Sequence, residues 1–226
     1  MFGAIAGRYD LLNRLLSFGI DRRWRAQAVR AALAPNAEGA RARRILDVAT
    51  GTADLAIALK EAAPEAEIIG LDATEAMLER GRRKIASRSL ALELLCGDGQ
   101  NLPFADASFD AVTIAYGIRN FSDREAGLRE CCRVLRPGGR LVVLEFPPPP
   151  RGPFGRVFRL YLLGVAPYLA GLVSGRREAY HYLGTSVLNF PVPDRLAAMM
   201  REAGFGKVRY HLQTFGVSAL HQGEKC

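Results

Sequence analysis

RRILDVATGTADLAIALKEAA, residues 43–63, passes from a continuous apolar run into a turn carrying Asp47, Gly51 and Asp54, and then into helical spacing. A short apolar run without polar alternation is what a strand covered on both faces looks like, and such strands belong to parallel sheets flanked by helices. The same alternation recurs downstream. AEIIGLD (66–72), LALELLC (90–96), FDAVTIA (109–115) and GRLVVLEF (139–146) read as strands, the last following the turn Pro137-Gly138-Gly139. EAMLERGRRKIA (75–86) and REAGLRECCRVL (124–135) read as the intervening helices, and TADLAIALKEAA (52–63) as the first of them. Strands spaced by helices of this length predict an α/β fold, a Rossmann-like, doubly wound, mostly parallel sheet.

Outside this core the pattern changes. Residues 9–34 have helical periodicity broken near Gly19, with Asp21 as the expected N-cap of a second helix. PPPPRGP (147–153) ends the alternation, and the aromatic, apolar stretch 154–191 looks like an insertion. A helix at PDRLAAMMREAG (193–204) and two strands around 208–215 and 217–224 close the chain; their proximity predicts an antiparallel pair and completes seven strands. The whole reads as one domain of 226 residues: an N-terminal helical segment (1–36), a core (43–146), a helical lobe (147–191) and a closing unit (192–226).

Composition narrows the functional classes. The net charge of +8 suggests an anionic partner. The basic residues are scattered, and none of their clusters is interleaved with aromatics as a single-strand binding face would be, so no nucleic-acid partner is expected. Solvated helix faces or attraction to an anionic membrane surface account for the charge. Cys96, Cys131, Cys132 and Cys226 show no CxxC spacing and no histidine in register, so no metal site is expected and a reducing cytoplasm fits. MFGAIAGRYD lacks the apolar centre of a signal peptide, and no run of 18 apolar residues is present to span a bilayer.

Doubly wound sheets bind ligands at the carboxyl ends of their strands. Asp47 lies at the end of the first predicted strand, Asp72 closes the second, 21 residues after Gly51, and Asp98 follows the third in Cys96-Gly97-Asp98-Gly99. Three acids there would converge on one crevice. Asp72 is placed to accept the hydroxyls of an adenosine ribose, a charged hydrogen bond worth about 1.5–3 kcal/mol. Asp98 is placed to accept from an adenine amino group. A dinucleotide is disfavoured, because Asp47 and Asp54 flank the turn and would repel a pyrophosphate. A ligand with an ammonium and a sulfonium suits an acidic cradle. The sign of the charge selects S-adenosylmethionine.

DVATGTADLA (47–56), GLDATEAML (70–78), GDGQNLPFADASFDAVTIAYGIRN (97–120) and RVLRPGGRLVVLEF (133–146) resemble the class I methyltransferases. MFGAIAGRYDLLNRLLSFGIDRRWR (1–25), YGIRN (116–120), AYHYLGTSVLNFP (179–191) and GVSALHQG (216–223) are similar, more narrowly, to the ubiquinone/menaquinone-biosynthesis C-methyltransferases, over the whole chain and in order. The resemblance implies that Thr52, Asp72, Asp98 and Gly99 contact the cofactor, that Gly51 makes the tight turn, and that Asp47 faces the methionine ammonium. It departs at Ala53, where the family usually has glycine, and at Gly99, where it often has alanine. Ala53 would matter only if its backbone needs a positive φ.

The activity implied is methylation of a ring carbon of a demethylated prenyl quinol, with the start closer to the menaquinone-type members. A phenol pKa near 10 leaves about one molecule in a thousand ionised at pH 7, and a nearby cation lowers such a pKa by about 1–3 units. Arg119 is the residue expected to supply that charge, with Asn120 positioning it or the ring. Tyr180 and Tyr182 are expected to line the quinol pocket. Tyr9 belongs to an N-terminal segment expected to close over the cofactor. The stretch 158–173, too short and broken to span, is either a wall of the substrate tunnel or a segment lying in the membrane interface. A benzoquinol acceptor, another small-molecule or RNA-base substrate, and a silent cofactor-binding scaffold stay open as alternatives.

Overall fold

The computed structural model describes residues 17, 19–35, 39, 42–168 and 177–226, with the side chains of 177–181 excepted. Tyr9, the rest of segment 1–16 and the Tyr180 side chain lie outside the described residues.

The chain order is α1 (Asp21–Leu33), β1 (Arg44–Val48), α2 (Asp54–Ala62), β2 (Glu67–Asp72), α3 (Glu75–Ala86), β3 (Glu93–Cys96), β4 (Phe109–Ala115), α4 (Arg124–Val134) and β5 (Leu135–Glu145). Then come α5 (Pro153–Leu160), α6 (Arg177–Leu188), α7 (Pro193–Glu202), β6 (Phe205–Gln213) and β7 (Ser218–Lys225). Among the described residues, seven strands form one sheet in the order β3-β2-β1-β4-β5-β7-β6. β1 to β5 run parallel, and β7 is antiparallel to both β5 and β6. The order reverses beside β1, between β1 and β4, which is where a doubly wound sheet opens a crevice.

Strand alternation sorts the core into two layers. Leu46, Val48, Ile69, Leu71, Val112, Ile114, Leu141 and Val143 pack on one face with Leu128 and Cys131 of α4 and Leu196 and Met200 of α7. Ile45, Ile68, Ala111, Val142 and Leu144 face the other side, against Trp24 and Ala28 of α1, Leu55 and Leu59 of α2 and Leu78 of α3. Cys131 is fully buried, and burial raises its thiol pKa.

Two differences from the sequence reading concern ends. Asp21 is not the N-cap of α1: Ile20 precedes the helix, and Asp21 is its first residue. The reason is that its carboxylate turns back into the protein, accepting from the Ser17 hydroxyl at 2.8 Å and pairing with Arg25 one turn on. β5 starts earlier than expected, at Leu135, because Leu135 pairs with Phe109; pairing shifts register before resuming at Ala111 and Arg140, so the Pro137–Gly139 turn falls inside the strand as an irregularity.

Candidate active site

The β1–α2 turn sits at the switch in strand order, and its backbone is unusual. Ala49, Gly51 and Ala53 have φ of 54°, 56° and 65°, left-handed at every second residue. Ala53, the departure noted in the sequence, does occupy a positive φ; alanine there carries about 1–2 kcal/mol of strain that glycine would not. The turn also consumes its own amides. Thr50 N–H donates to Leu71 O at 3.0 Å, Gly51 N–H to Asp72 Oδ2 at 2.8 Å, and Ala53 N–H to Thr50 O at 2.9 Å. A phosphate-binding turn offers such groups to its ligand; here they are spent internally, and a carboxylate takes the glycine amide.

This turn and the ends of β1 to β4 enclose a cavity of about 330 Å³. The structure brings Asp47, Gly51, Thr52, Asp72, Asp98 and Gly99 to its wall, together with Asn120 and Tyr182. Leu71, Met77 and Phe121 give it apolar sides suited to a flat ring. Asp47 is 1 % exposed and accepts hydroxyl hydrogen bonds of 2.6 Å from both Thr50 and Thr113. Burial outweighs those two bonds, and Asp72 adds its negative charge, so the Asp47 pKa is pushed up to about 6. A buried carboxylate held this way gains from a neighbouring cation. Asp72 is fixed by two backbone amides, Gly51 on one oxygen and Thr74 on the other, each at 2.8 Å. Asp98 is exposed and accepts from the Gln100 amide at 2.9 Å.

The glycine at 99 has a local cause. A Cβ there would lie 2.6 Å from Phe121 Cζ and 2.7 Å from Val48 Cγ1, so with phenylalanine at 121 an alanine would force these side chains to shift. Thr52 Oγ1 accepts from Lys84 Nζ at 2.8 Å, and Lys84 also pairs with Asp54 at the cavity rim.

A second cavity of about 390 Å³ adjoins the first. Its wall is mostly apolar: Trp24, Phe146, Phe154, Phe158, Leu162 and Val187 among others. Tyr116 stacks on Phe146 at 4.5 Å between centroids, and Trp24 meets the edge of that ring at 5.9 Å. Three charged residues interrupt the apolar lining: Asp21, Arg25 and Arg119. Arg25 and Tyr116 are common to the walls of both cavities.

Arg119 sits in a short 3-10 turn after β4, 5 % exposed. Its guanidinium donates to Glu145 Oε1 at 2.8 Å and to the Tyr116 carbonyl, while its backbone N–H points to Glu145 Oε2 at 3.4 Å. The charge expected from Arg119 is thus present beside the apolar cavity, but as half of a buried ion pair. Asn120 and Tyr182 do not accompany it. Both border the first cavity, where the Tyr182 hydroxyl donates to Asn120 Oδ1 at 3.3 Å. Tyr182 therefore does not line the apolar cavity as expected; α6 turns it toward the rim of the first cavity, while Leu183 and Val187 of the same helix face the second.

Glu145, Arg25, Trp24 and Phe146 are missing from the sequence reading. Glu145 carried a usable signal, since it closes an apolar strand as Asp72 does and Asp47 nearly does. Among the described residues no cluster of three metal-ligating side chains is present, and no helix is long and apolar enough to cross a membrane.

Comparison with known proteins agrees with this geometry. The model of the ubiE/COQ5 methyltransferase family matches residues 1–225. A demethylmenaquinone methyltransferase of Thermus thermophilus is 58% identical over 227 residues, covering 100% of both chains. One from Deinococcus radiodurans is 55% identical, covering 100% of this chain and 91% of its own. A ubiquinone/menaquinone biosynthesis C-methyltransferase of Geotalea daltonii is 45% identical, covering 100% and 94%. Among solved structures, a SAM-dependent methyltransferase from Thermotoga maritima superposes with a TM-score of 0.71 at 21% identity, over 100% of this chain and 98% of its own, a likeness of fold.

Proposed function

The chain belongs to the ubiE/COQ5 methyltransferase family, and from that premise we propose that it methylates a ring carbon of demethylmenaquinol using S-adenosylmethionine. The observation that carries the reading is the juxtaposition of an acid-lined cavity and an apolar one, sharing Arg25 and Tyr116. One cavity suits a cationic donor, the other a fused aromatic ring with an isoprenoid tail. The names of the relatives from Thermus and Deinococcus support the naphthoquinol over a benzoquinol acceptor.

When bound, S-adenosylmethionine supplies a methyl group already activated on a sulfonium, so the protein's contribution is alignment and charge. In this reading Asp47 holds the methionine ammonium, Asp72 the ribose hydroxyls, and Asp98 the adenine amino group. Gly51 and Thr52 shape the turn beneath them, Gly99 leaves room for Phe121, and Asn120 with Tyr182 closes the donor rim. Arg119 is the cation beside the acceptor ring, with Glu145 fixing its orientation. Trp24, Phe146 and Phe158 exclude water from the acceptor.

The expected result is transfer of labelled methyl from S-adenosylmethionine to demethylmenaquinol, with the label in the menaquinol ring. Donor binding without transfer to any quinol would favour a scaffold or a different acceptor.

The outer face of the acceptor cavity is the part of the molecule best suited to an anionic bilayer, the source of such a substrate. Residues 146–177 contain no aspartate or glutamate and five arginines, Arg151, Arg156, Arg159, Arg176 and Arg177. Phe154, Val157, Leu160, Leu163 and Val165 are exposed on α5 and the π-helical turn Tyr161–Val165 that continues it, with Leu160 70% exposed; Phe215, 85% exposed, packs its ring against Phe154. Phe154 and Val157 also line the cavity, so a membrane lying on this face would reach the acceptor site directly. Each arginine near anionic lipid contributes about 1 kcal/mol. The protein should float with phosphatidylglycerol vesicles at low salt and be released at high salt, and Leu160→Asp should weaken flotation; sedimentation free of vesicles at low salt would remove the membrane contact.

A further inference from the structure

Resting on the acceptor reading, the geometry points to Asp21 and Arg25, on the first turns of α1, as the pair that acts on the acceptor hydroxyl beside the reacting carbon, Asp21 accepting its proton and Arg25 binding its oxygen. Nothing in the family resemblance assigned them, and the donor and acceptor roles above leave the proton without a destination.

The carbon that receives the methyl must face the donor cavity, so its neighbouring hydroxyl lies near the boundary between the cavities. Among the described residues, Arg25 is the charged residue that borders both cavities. Asp21 lines the acceptor cavity one helical turn away and is 4% exposed. A carboxylate in a mostly apolar wall costs stability unless it is paired or put to use.

Asp21 Oδ1 accepts from Ser17, and Oδ2 pairs with Arg25, each oxygen keeping further lone-pair capacity. Arg25 is held from the other side by Asp54 at 3.6 Å, and Asp54 by Lys84. Four charges of alternating sign fix the pair at the junction without net charge.

A carboxylate is too weak to strip a resting phenol, but it need not. As the ring carbon bonds the methyl carbon, the carbon–sulfur bond breaks with its electron pair left on sulfur, and the hydroxyl becomes the O–H of a protonated ketone, a strong acid. Its proton then passes to Asp21. When the ring C–H proton leaves to water, the ring regains aromaticity and the oxygen takes its proton back from Asp21. One proton is released overall, that of the ring carbon. Arg25 hydrogen-bonds the oxygen throughout. Arg119, also in the wall of the acceptor cavity, serves the ring's other oxygen.

Among the described residues, the charged groups facing this hydroxyl are Asp21, Arg25 and Arg119, backed by Asp54 and Glu145, with Tyr116 and Tyr161 as neutral hydroxyls in the wall. The test needs no donor. 2-Naphthol is bound to the full-length protein and its ionisation followed by absorbance against pH, in wild type, Asp21→Asn and Arg25→Gln. A carboxylate beside the hydroxyl holds its pKa up and a guanidinium holds it down, each by about 1–3 units. Asp21→Asn is therefore expected to move the bound naphthol's ionisation to lower pH and Arg25→Gln to higher pH. With donor and quinol added, Asp21→Asn should lose about 100-fold or more in kcat with donor affinity kept. Shifts of the same sign, or none, would overturn the pair's role. Should Asp21→Asn fail to fold, Arg25→Gln decides alone, and the absence of an upward shift is the contrary result. Failure of wild type to bind naphthol would remove the acceptor reading itself, and the pair's role with it.

Discussion

Arg119→Ala is expected to destabilise the protein by about 3–5 kcal/mol, lowering the melting temperature by roughly 6–20 °C, before any effect on catalysis is measured. Glu145 is 1% exposed and Arg119 5%, and their 2.8 Å contact lies at the wall of the apolar cavity. Removing the guanidinium leaves a buried carboxylate with no countercharge, which is the costly way to break such a pair. Replacing both residues with leucine should restore most of the stability, because a buried pair exchanged for apolar groups is often neutral. Activity should not return. That double variant separates the pair's structural part from its catalytic one, and thermal melts with kcat for the three proteins read it out. An Arg119→Ala variant melting within 2 °C of wild type would contradict the account of the pair.

The second large effect concerns Asp47. Its pKa of about 6 without ligand means that binding an ammonium must first ionise it at lower pH. Donor affinity is expected to be flat above about pH 7 and to weaken toward tenfold per unit below 6. Asp47→Asn should lose about 10- to 150-fold in affinity, as for a charged hydrogen bond worth 1.5–3 kcal/mol, and its remaining binding should lose the pH dependence. Stability runs the other way. A carboxylate whose folded pKa is raised contributes most below its unfolded pKa of 3.8, and that contribution is lost as pH rises through about 6. Asparagine carries no such loss. The donor-free variant should therefore melt no lower than wild type at pH 7.5 while binding the donor poorly, as titration calorimetry and melts at matched pH would show. A lower melting temperature with unchanged affinity would place Asp47 in the scaffold only.

The gathering of Asp47, Asp72 and Asp98 around one cavity was readable from residues because it is built from local patterns. Each of Asp47, Asp72 and Asp98 stands at the end of its own strand, and parallel pairing of β1 with β2 and β2 with β3 is enough to gather them. The closing pair β6 and β7 followed from the same kind of adjacency. The acceptor half was not readable, because it joins residues far apart in the chain: Trp24 packs on Phe146, Arg119 binds Glu145, and Leu183 reaches the same cavity. No spacing rule connects them. Asp21 illustrates the limit most directly. An aspartate at a helix start reads as a cap, and only the packing of α1 against β5 and β7 makes it a buried wall residue paired with Arg25. Tyr182 shows the same limit on a helix face, where one position decides which cavity a side chain meets. Ala53 was recognised as the position where backbone conformation mattered, but its φ of 65° could come only from the folded turn.

The central claim is that acidic side chains at the sheet's switch point, with the turn's own amides already engaged, select a cationic methyl donor over a phosphate-bearing dinucleotide. Titration calorimetry of the purified protein against S-adenosylmethionine, S-adenosylhomocysteine and NADH at pH 7.5 tests it most directly. Saturable binding of the first two, with no detectable heat from NADH, is the expected result. Uptake of NADH, or indifference to both adenosyl compounds, would contradict it.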